Sequence, residues 1–114
     1  MSQLSYVVLW SRVFFVTLLV EAVVAIPLLR SDASVVRRAG AVLAAQLLTH
    51  PGVWFILPAL GLTRFAYLTI AEAWAIAAEM ALYRLIFAAL PWPRAFGISA
   101  LANGASLAAG MLAR

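Results

Sequence analysis

The fold is decided by residues 65–90, which read FAYLTIAEAWAIAAEMALYRLIFAAL. This stretch is longer than the ~20 mainly apolar residues that an α-helix needs to cross a bilayer. Three more apolar stretches of similar length lie on either side of it, with only short polar connections between them. The sequence therefore predicts one domain, residues 1–114, with spans at about residues 11–29, 38–61, 65–90 and 95–113.

The composition indicates that lipid is the main solvent for the protein surface. Of the 114 residues, 67% are hydrophobic and only 11% are charged, whereas soluble domains are about half apolar and a quarter charged. A globule of this size could not hide so much apolar surface from water. Because short loops make consecutive helices antiparallel neighbours, we predict an all-α integral membrane protein. Its four transmembrane helices would form an antiparallel up-down bundle with short loops.

The residue types also exclude several classes of function. The chain has no cysteine, which excludes disulfides, thiolate catalysis and cysteine-based metal centres. All eight basic residues are Arg, and they are scattered between apolar runs rather than clustered in a stripe. We therefore expect no nucleic-acid partner and interpret the Arg residues as anchors at the edges of the lipid bilayer. The start, MSQLSYVVLW, lacks the basic residues of a signal peptide, so we expect the first span to be retained.

The distribution of Arg predicts the orientation in the membrane. The side with the first and third connections carries Arg30, Arg37, Arg38, Arg84 and Arg94. The opposite side carries Arg12, Arg64 and Arg114. By the positive-inside rule, this distribution predicts an inner or plasma membrane protein with both termini outside the cytoplasm. The difference is small, so a dual topology stays open.

Three of the four acidic residues lie inside predicted spans: Glu21, Glu72 and Glu79. A charged residue at the centre of a spanning helix costs about 2.5–3.5 kcal/mol on insertion scales, so each of these residues is a functional hypothesis. Each span carries a polar stripe on one face of an otherwise apolar helix. Lipid cannot satisfy these stripes, so we expect all four to face the bundle interior.

Depth along the spans predicts two polar layers, counted at about 1.5 Å per residue from the span ends. The upper layer holds Glu21, His50, Glu72 and Asn103. The lower layer holds Gln46, Glu79 and Ser99. The candidate ion- or proton-binding residues are therefore Glu21, His50, Glu72, Glu79, Asn103 and Gln46.

Two further features bear on helix packing. Pro51 cannot donate a backbone hydrogen bond to the preceding turn, so we predict a kink in the second helix beside His50. In the fourth span, small residues suit close contact between helices in lipid. These residues are Gly97, Ala100, Gly104 and Ala108.

The predicted cluster suits the binding of a cation or the transfer of protons. Carboxylate and imidazole groups are ligands for divalent metals, so Glu21, His50 and Glu72 form a candidate metal site. Proton transfer along Glu and His is an equally natural use. Our leading hypothesis is a small transporter or channel-like protein that works as a homo-oligomer or in a larger membrane complex. A divalent metal ion is the one cofactor that the sequence suggests.

Two alternatives remain open. The polar cluster could be structural, in an accessory or assembly subunit of a larger membrane complex, since polar residues often join helices in lipid. Less favoured is an intramembrane hydrolase in which Glu and His activate water. The sequence leaves enzymatic activity undecided and favours a non-enzymatic role.

The chain resembles the small multidrug resistance transporters in its length, its four spans and the position of Glu21 in the first span. It departs from them in VEAVVAIPLL, residues 20–29, which lacks the glycine pattern expected after the glutamate. It departs again in the Glu72 and Glu79 pair of the third span, so we do not assign the family. The resemblance implies that so small a bundle would form its path as a dimer, and it makes a proton-coupled carrier one expected subclass.

Overall fold

The computed structural model describes residues 2–29 and 33–112. In this part of the chain the structure consists of helices and connections without a β-strand, which confirms the all-helical prediction. The long helices are α1 (Gln3–Leu28), α2 (Val35–Pro51), α3 (Arg64–Ile86) and α4 (Trp92–Leu112). Arg30 and Arg114, which entered the orientation prediction, lie outside the described residues.

Hydroxyl side chains determine where three of the helices begin. The side chains of Ser2, Ser34 and Thr63 each accept a hydrogen bond from the backbone N–H three residues later. Such N-caps satisfy donors that the first helical turn leaves unpaired. Helix α1 therefore begins at Gln3, eight residues before the predicted span.

Helix α3 ends earlier than the predicted third span. It stops at Ile86, and the next residues form a turn. The Arg84 guanidinium donates to the carbonyls of Ala88 (2.7 Å) and Leu90 (2.8 Å), and it lies over the ring of Trp92. These contacts satisfy carbonyl groups of the turn that leads from α3 into α4.

The helices form a four-membered ring in which each one packs against two neighbours. Helices α1 and α3 each contact α2 and α4. Arg38, near the start of α2, donates to the carbonyl of Ile26 near the end of α1 (2.7 Å). Arg94, near the start of α4, donates to the carbonyl of Leu28 (3.1 Å). These contacts make neighbouring helices antiparallel.

All four helical segments are long and apolar enough to cross a membrane, by their length and composition. In the second segment this length includes the irregular turns after α2, which extend to Leu60. The bundle is elongated, with extents of 45 × 24 × 24 Å. We call the end with Arg37, Arg38, Arg84 and Arg94 the Arg-rich end, and the end with Ser2 and Arg64 the mouth end.

The apolar core closes the Arg-rich half of the bundle. Alanines make up a large part of it, which allows close approach of the helices. The core residues are Ala25, Leu29, Ala41, Val42, Ala45, Tyr83, Phe87, Leu90, Ala95, Ile98 and Ala102.

The glycines of α4 face outward. Gly97 and Gly104 are exposed, and a Cβ atom at either position would meet nothing within 4 Å. The buried face of α4 carries instead Ala95, Ile98, Ser99, Ala102 and Asn103. The glycines therefore do not mediate close helix contact inside this bundle.

Helix α2 loses its regular hydrogen bonding directly after Pro51, the predicted kink position. One π-helical turn follows at Gly52–Ile56, and a 3₁₀ turn follows that at Leu57–Leu60. Gly61 then ends the segment in the left-handed conformation, at φ 64°. Pro51 has no backbone N–H to donate to the carbonyl of Leu47 one turn earlier, so the regular hydrogen bonding is interrupted next to the start of the irregular segment.

Two tyrosines complete the backbone hydrogen bonds of this irregular segment. Pro58 has no N–H to donate to the carbonyls one helical turn before it, those of Val53 and Trp54. The hydroxyl of Tyr6 donates to the Trp54 carbonyl (2.6 Å), and the hydroxyl of Tyr67 donates to the Val53 carbonyl (2.8 Å). Side chains of α1 and α3 thus replace hydrogen bonds that the helix cannot make in lipid.

We predict that Tyr6→Phe lowers the free energy of unfolding by about 1 kcal/mol, because it leaves the Trp54 carbonyl unpaired. Pro58→Ala restores an N–H near this carbonyl, so the loss caused by Tyr6→Phe should be smaller in the Pro58→Ala background. Reversible unfolding of the four purified proteins in mixed micelles measures both losses. Equal losses in the two backgrounds would contradict this account of the tyrosine.

Candidate functional site

A network of buried polar side chains joins all four helices near the middle of the bundle. Glu21 of α1, Gln46 of α2, Glu79 of α3 and Asn103 of α4 are each at most 4% exposed. The Gln46 amide nitrogen donates to Glu21 Oε1 (2.7 Å) and to Glu79 Oε1 (2.9 Å). The Asn103 amide nitrogen donates to Glu79 Oε2 (2.5 Å). One amide of α2 therefore links the carboxyl groups of α1 and α3.

Side chains of α4 extend the network. Ser106 Oγ lies 3.2 Å from Glu21 Oε2 and 3.0 Å from the carbonyl oxygen of Asn103, and its single proton can be donated to one of these two acceptors at a time. Asn103 Nδ2 also donates to the carbonyl of Ser99 (2.8 Å), which fixes the orientation of the amide. We call Glu21, Gln46, Glu79, Asn103 and Ser106 the carboxyl network.

The two carboxyl groups lack a positive partner among the described residues. The Gln46 amide nitrogen lies within 2.9 Å of one oxygen of each carboxyl group, so Glu21 and Glu79 lie close together. Two negative charges this close repel strongly in an apolar interior, and a proton held between them removes the repulsion. The geometry therefore suits a pair that shares one proton.

His50 lies apart from the carboxyl network, toward the mouth end. Its Nδ1 accepts a hydrogen bond from the indole N–H of Trp10 (3.1 Å), so the imidazole proton is on Nε2. The ring of Phe14 meets the imidazole edge-on at 5.4 Å, and the ring of Trp54 stacks at 6.3 Å between centroids. This aromatic surrounding fixes the plane of the His50 ring.

Glu72 lies in a cavity between the helices. The cavity has a volume of about 310 Å³ and extends from Arg64 and Met111 at the mouth end to Glu21 and Gln46. Glu72 is half-buried in its wall, and its carboxyl group forms no hydrogen bond or ion pair with the residues that the structure describes. The cavity gives the carboxyl network access to one end of the bundle.

The structure rearranges the two predicted polar layers. The network combines Glu21 and Asn103 of the upper layer with Gln46 and Glu79 of the lower layer. His50 and Glu72 lie outside it. The depth count began the first span at Arg12, but α1 begins at Gln3 and therefore extends further toward the mouth end. Glu21 consequently lies level with Gln46 rather than with His50.

The candidate metal ligands are not assembled into one site. Within residues 2–29 and 33–112, no three His, Asp or Glu side chains are grouped so that they could hold a metal ion. Glu21 is engaged in the carboxyl network, and Nδ1 of His50 accepts from Trp10. The metal site of Glu21, His50 and Glu72 stays a prediction that this geometry does not support.

The aromatic residues that contact His50 and the irregular turns at the mouth end were not identified from the sequence. Tyr6, Trp10 and Phe14 are spaced four residues apart on α1, so they lie on one helix face. In the structure, the indole N–H of Trp10 donates to His50. The spacing identifies the face, but the sequence contains no signal for which polar group that face meets.

Tyr83 is a buried polar group of a different kind. It lies one turn beyond Glu79 on α3, in the core of the Arg-rich half, and is 0% exposed. Its hydroxyl has no hydrogen-bond partner among the described residues. Tyr83 therefore provides a comparison for the satisfied polar groups of the network.

Comparison with protein-family models, with curated proteins and with solved structures finds no match for this chain. The function is therefore argued from the residues and geometry of the site.

We predict that Gln46→Leu lowers the free energy of unfolding by about 1–2 kcal/mol, because two buried carboxyl groups lose their shared donor. Tyr83→Phe is the matched control, since it removes a buried hydroxyl that has no partner. Its stability should equal or exceed that of the wild type. Unfolding in mixed micelles measures both values, and equal destabilisation by the two substitutions would contradict the assigned role of Gln46.

Proposed function

We propose that this chain spans a bilayer and handles protons or a small cation, with the carboxyl network as its site. One observation carries the proposal: two buried carboxyl groups share an amide donor at the inner end of a cavity. An ionisable pair inside a membrane bundle is costly to keep, and such groups mark ion and proton pathways.

The identity of the bridging group supports proton handling. An Arg between Glu21 and Glu79 would hold both carboxyls charged, and an aliphatic residue would hold both neutral. The Gln46 amide donates to either carboxyl whether or not that carboxyl carries the proton. A proton can therefore move between the two groups without the loss of the bridging hydrogen bonds.

Among the residues that the structure describes, the cavity reaches the network from the mouth end. At the Arg-rich end the network is covered by the apolar core that includes Ala25, Val42, Tyr83 and Ile98. Transport across the bilayer therefore requires a second state, in which the helices separate at this end. The facing helix surfaces carry alanines, whose small side chains would hinder such a movement little.

A structural role in an accessory or assembly subunit is the second candidate. It is favoured by the hydrogen bonds that Glu21 and Glu79 accept from amide side chains of the same chain. A network that serves only to join helices predicts that carboxyl variants fail to assemble. A transport site predicts variants that assemble and lose flux.

We further propose that the chain forms a homo-oligomer in the bilayer or joins a larger membrane complex. The outward-facing glycines Gly97 and Gly104 support this, because a second helix could approach closely there. For the location, we propose an inner or plasma membrane with the mouth end, and so both termini, outside the cytoplasm.

The flux experiment uses purified protein in liposomes that contain a pH-sensitive dye, with a membrane potential imposed by a potassium gradient and valinomycin. We expect proton entry in the wild type and a loss of roughly tenfold or more in Glu79→Gln, because the variant cannot exchange a proton at this position. Thr69→Val is the control, since Thr69 is exposed on the same helix and donates to its own backbone.

Folding is checked by elution volume and thermal unfolding, and Glu79→Asp, which keeps the carboxyl group, should retain more flux than Glu79→Gln. A folded Glu79→Gln protein with wild-type flux would refute the assignment. So would a wild type that moves neither protons nor small inorganic cations. Misassembly of both Glu79 variants would favour the structural candidate.

The orientation is testable because the chain has no cysteine of its own. Ser5→Cys and Ala88→Cys place single thiols at exposed positions at opposite ends of the bundle. In intact cells, a membrane-impermeant maleimide should label Ser5→Cys and should label Ala88→Cys only after permeabilisation. The reverse pattern would contradict the proposed orientation, and equal labelling would indicate a dual topology.

A further inference from the structure

We infer that the cavity binds a protonated primary amine with an apolar body, and that Glu72 receives its ammonium group. This inference rests on the proposed function and deepens it, because it names the class of cation that enters from the mouth end. It separates two tasks among the acidic residues: Glu72 binds the cation, and the Glu21 and Glu79 pair holds a proton.

Glu72 is the acidic residue of α3 that the protein leaves unpaired. Glu79, seven residues later on the same face, accepts hydrogen bonds from Gln46 and Asn103. Glu72 has no such partner among the described residues, although it is half-buried in the cavity wall. A half-buried carboxylate without a partner is costly. A ligand that supplies both a positive charge and hydrogen-bond donors would remove this cost.

The size and walls of the cavity favour an organic cation over an inorganic one. Its volume of about 310 Å³ lies at the lower end of the range for small-molecule sites. Apolar side chains form much of its lining, among them Val13, Val53, Trp54, Leu68, Leu107 and Met111. A divalent ion takes about six to eight oxygen ligands, and no group of three acidic or His side chains within the described residues could hold one.

Four polar residues of the cavity, Thr49, Tyr67, Gln46 and Asn103, have oxygens that can accept a hydrogen bond from a ligand, whereas the Nε2–H of His50, which also lines the cavity, is a donor. The hydroxyl of Thr49 donates to a carbonyl of its own helix (3.0 Å), and that of Tyr67 donates to Val53 (2.8 Å). Each of these oxygens therefore has only lone pairs to offer a ligand. The amide nitrogens of Gln46 and Asn103 donate within the carboxyl network, which leaves their carbonyl oxygens as acceptors.

This set of acceptors fits a primary ammonium group. Such a group carries one positive charge and three N–H donors, and its hydrocarbon body can contact the apolar walls. A quaternary ammonium group has the same charge but no N–H to donate. Arg64 is exposed at the mouth end, eight residues before Glu72 on α3. The backbone positions of the two residues are about 12 Å apart along the helix axis, and the exposed Arg64 side chain is screened by salt.

Equilibrium dialysis of the purified, detergent-solubilised protein tests the inference with two probes of the same charge and similar size. We expect saturable binding of phenethylammonium, and roughly tenfold or more weaker binding of phenyltrimethylammonium, which cannot donate hydrogen bonds. Glu72→Gln should weaken phenethylammonium binding roughly tenfold or more, while Glu72→Asp keeps the charge and should bind more tightly than Glu72→Gln.

Thr69→Val is the comparison variant, because Thr69 is exposed on the same helix and does not line the cavity; phenethylammonium binding should change no more than about threefold in it. The inference is overturned if the folded wild type shows no saturable binding of phenethylammonium or binds the two probes equally. It is also overturned if Glu72→Gln binds phenethylammonium as the wild type does, or if Mn²⁺ binds more tightly and displaces the amine. Proton flux through Glu79 without amine binding would overturn this inference alone. Amine binding without any flux would overturn the proposed function alone.

Discussion

The four helical segments are apolar enough to cross a membrane, and in such a bundle a buried polar group is costly unless it finds a hydrogen-bond partner. The Gln46 amide meets this requirement where two buried carboxyl groups lie close together. It donates to carboxyl groups of two other helices, and Asn103 supplies a further donor from the fourth. The rotation and register of each helix must satisfy this set of contacts at once.

The orientation of α4 illustrates how polar contacts override a packing preference. Small residues usually lie at helix contacts in membranes, and that rule alone would turn Gly97 and Gly104 toward the core. Asn103 and Ser99 lie on a different face, and the structure buries that face instead. An unpaired amide in an apolar interior costs more than a glycine left on the surface. The polar residues therefore determine which face of α4 is inside.

The sequence predicted the helices and much of the membership of the carboxyl network, because both depend on local patterns. Apolar length reveals a helix that can span a bilayer, and polar residues within it reveal the face that turns inward. Four members of the network, Glu21, Gln46, Glu79 and Asn103, were among the candidate residues. Their pairing was not predictable, since register depends on where each helix begins. The Ser2 cap lets α1 begin well before Arg12, so a depth counted from Arg12 gave Glu21 the wrong level in the bundle.

The contacts at the mouth end could not be predicted from a sequence pattern, for a different reason. Proline at position 58 removes a backbone donor, and this could be read from the sequence. The groups that replace the donor are hydroxyls of Tyr6 and Tyr67, which come from helices far away in the chain. The bond between Trp10 and His50 has the same character. Each requires the irregular turns after Pro51, whose geometry no periodicity encodes.

The contrast between Glu72 and Glu79 is the observation on which the proposed amine site rests. The two residues have the same side chain, lie on the same face of α3 and differ by seven positions. Glu79 lies where amides of two helices converge, so the chain itself satisfies it. Glu72 lies where the helices leave a cavity. We therefore propose that a partner from outside the chain binds in this cavity at Glu72.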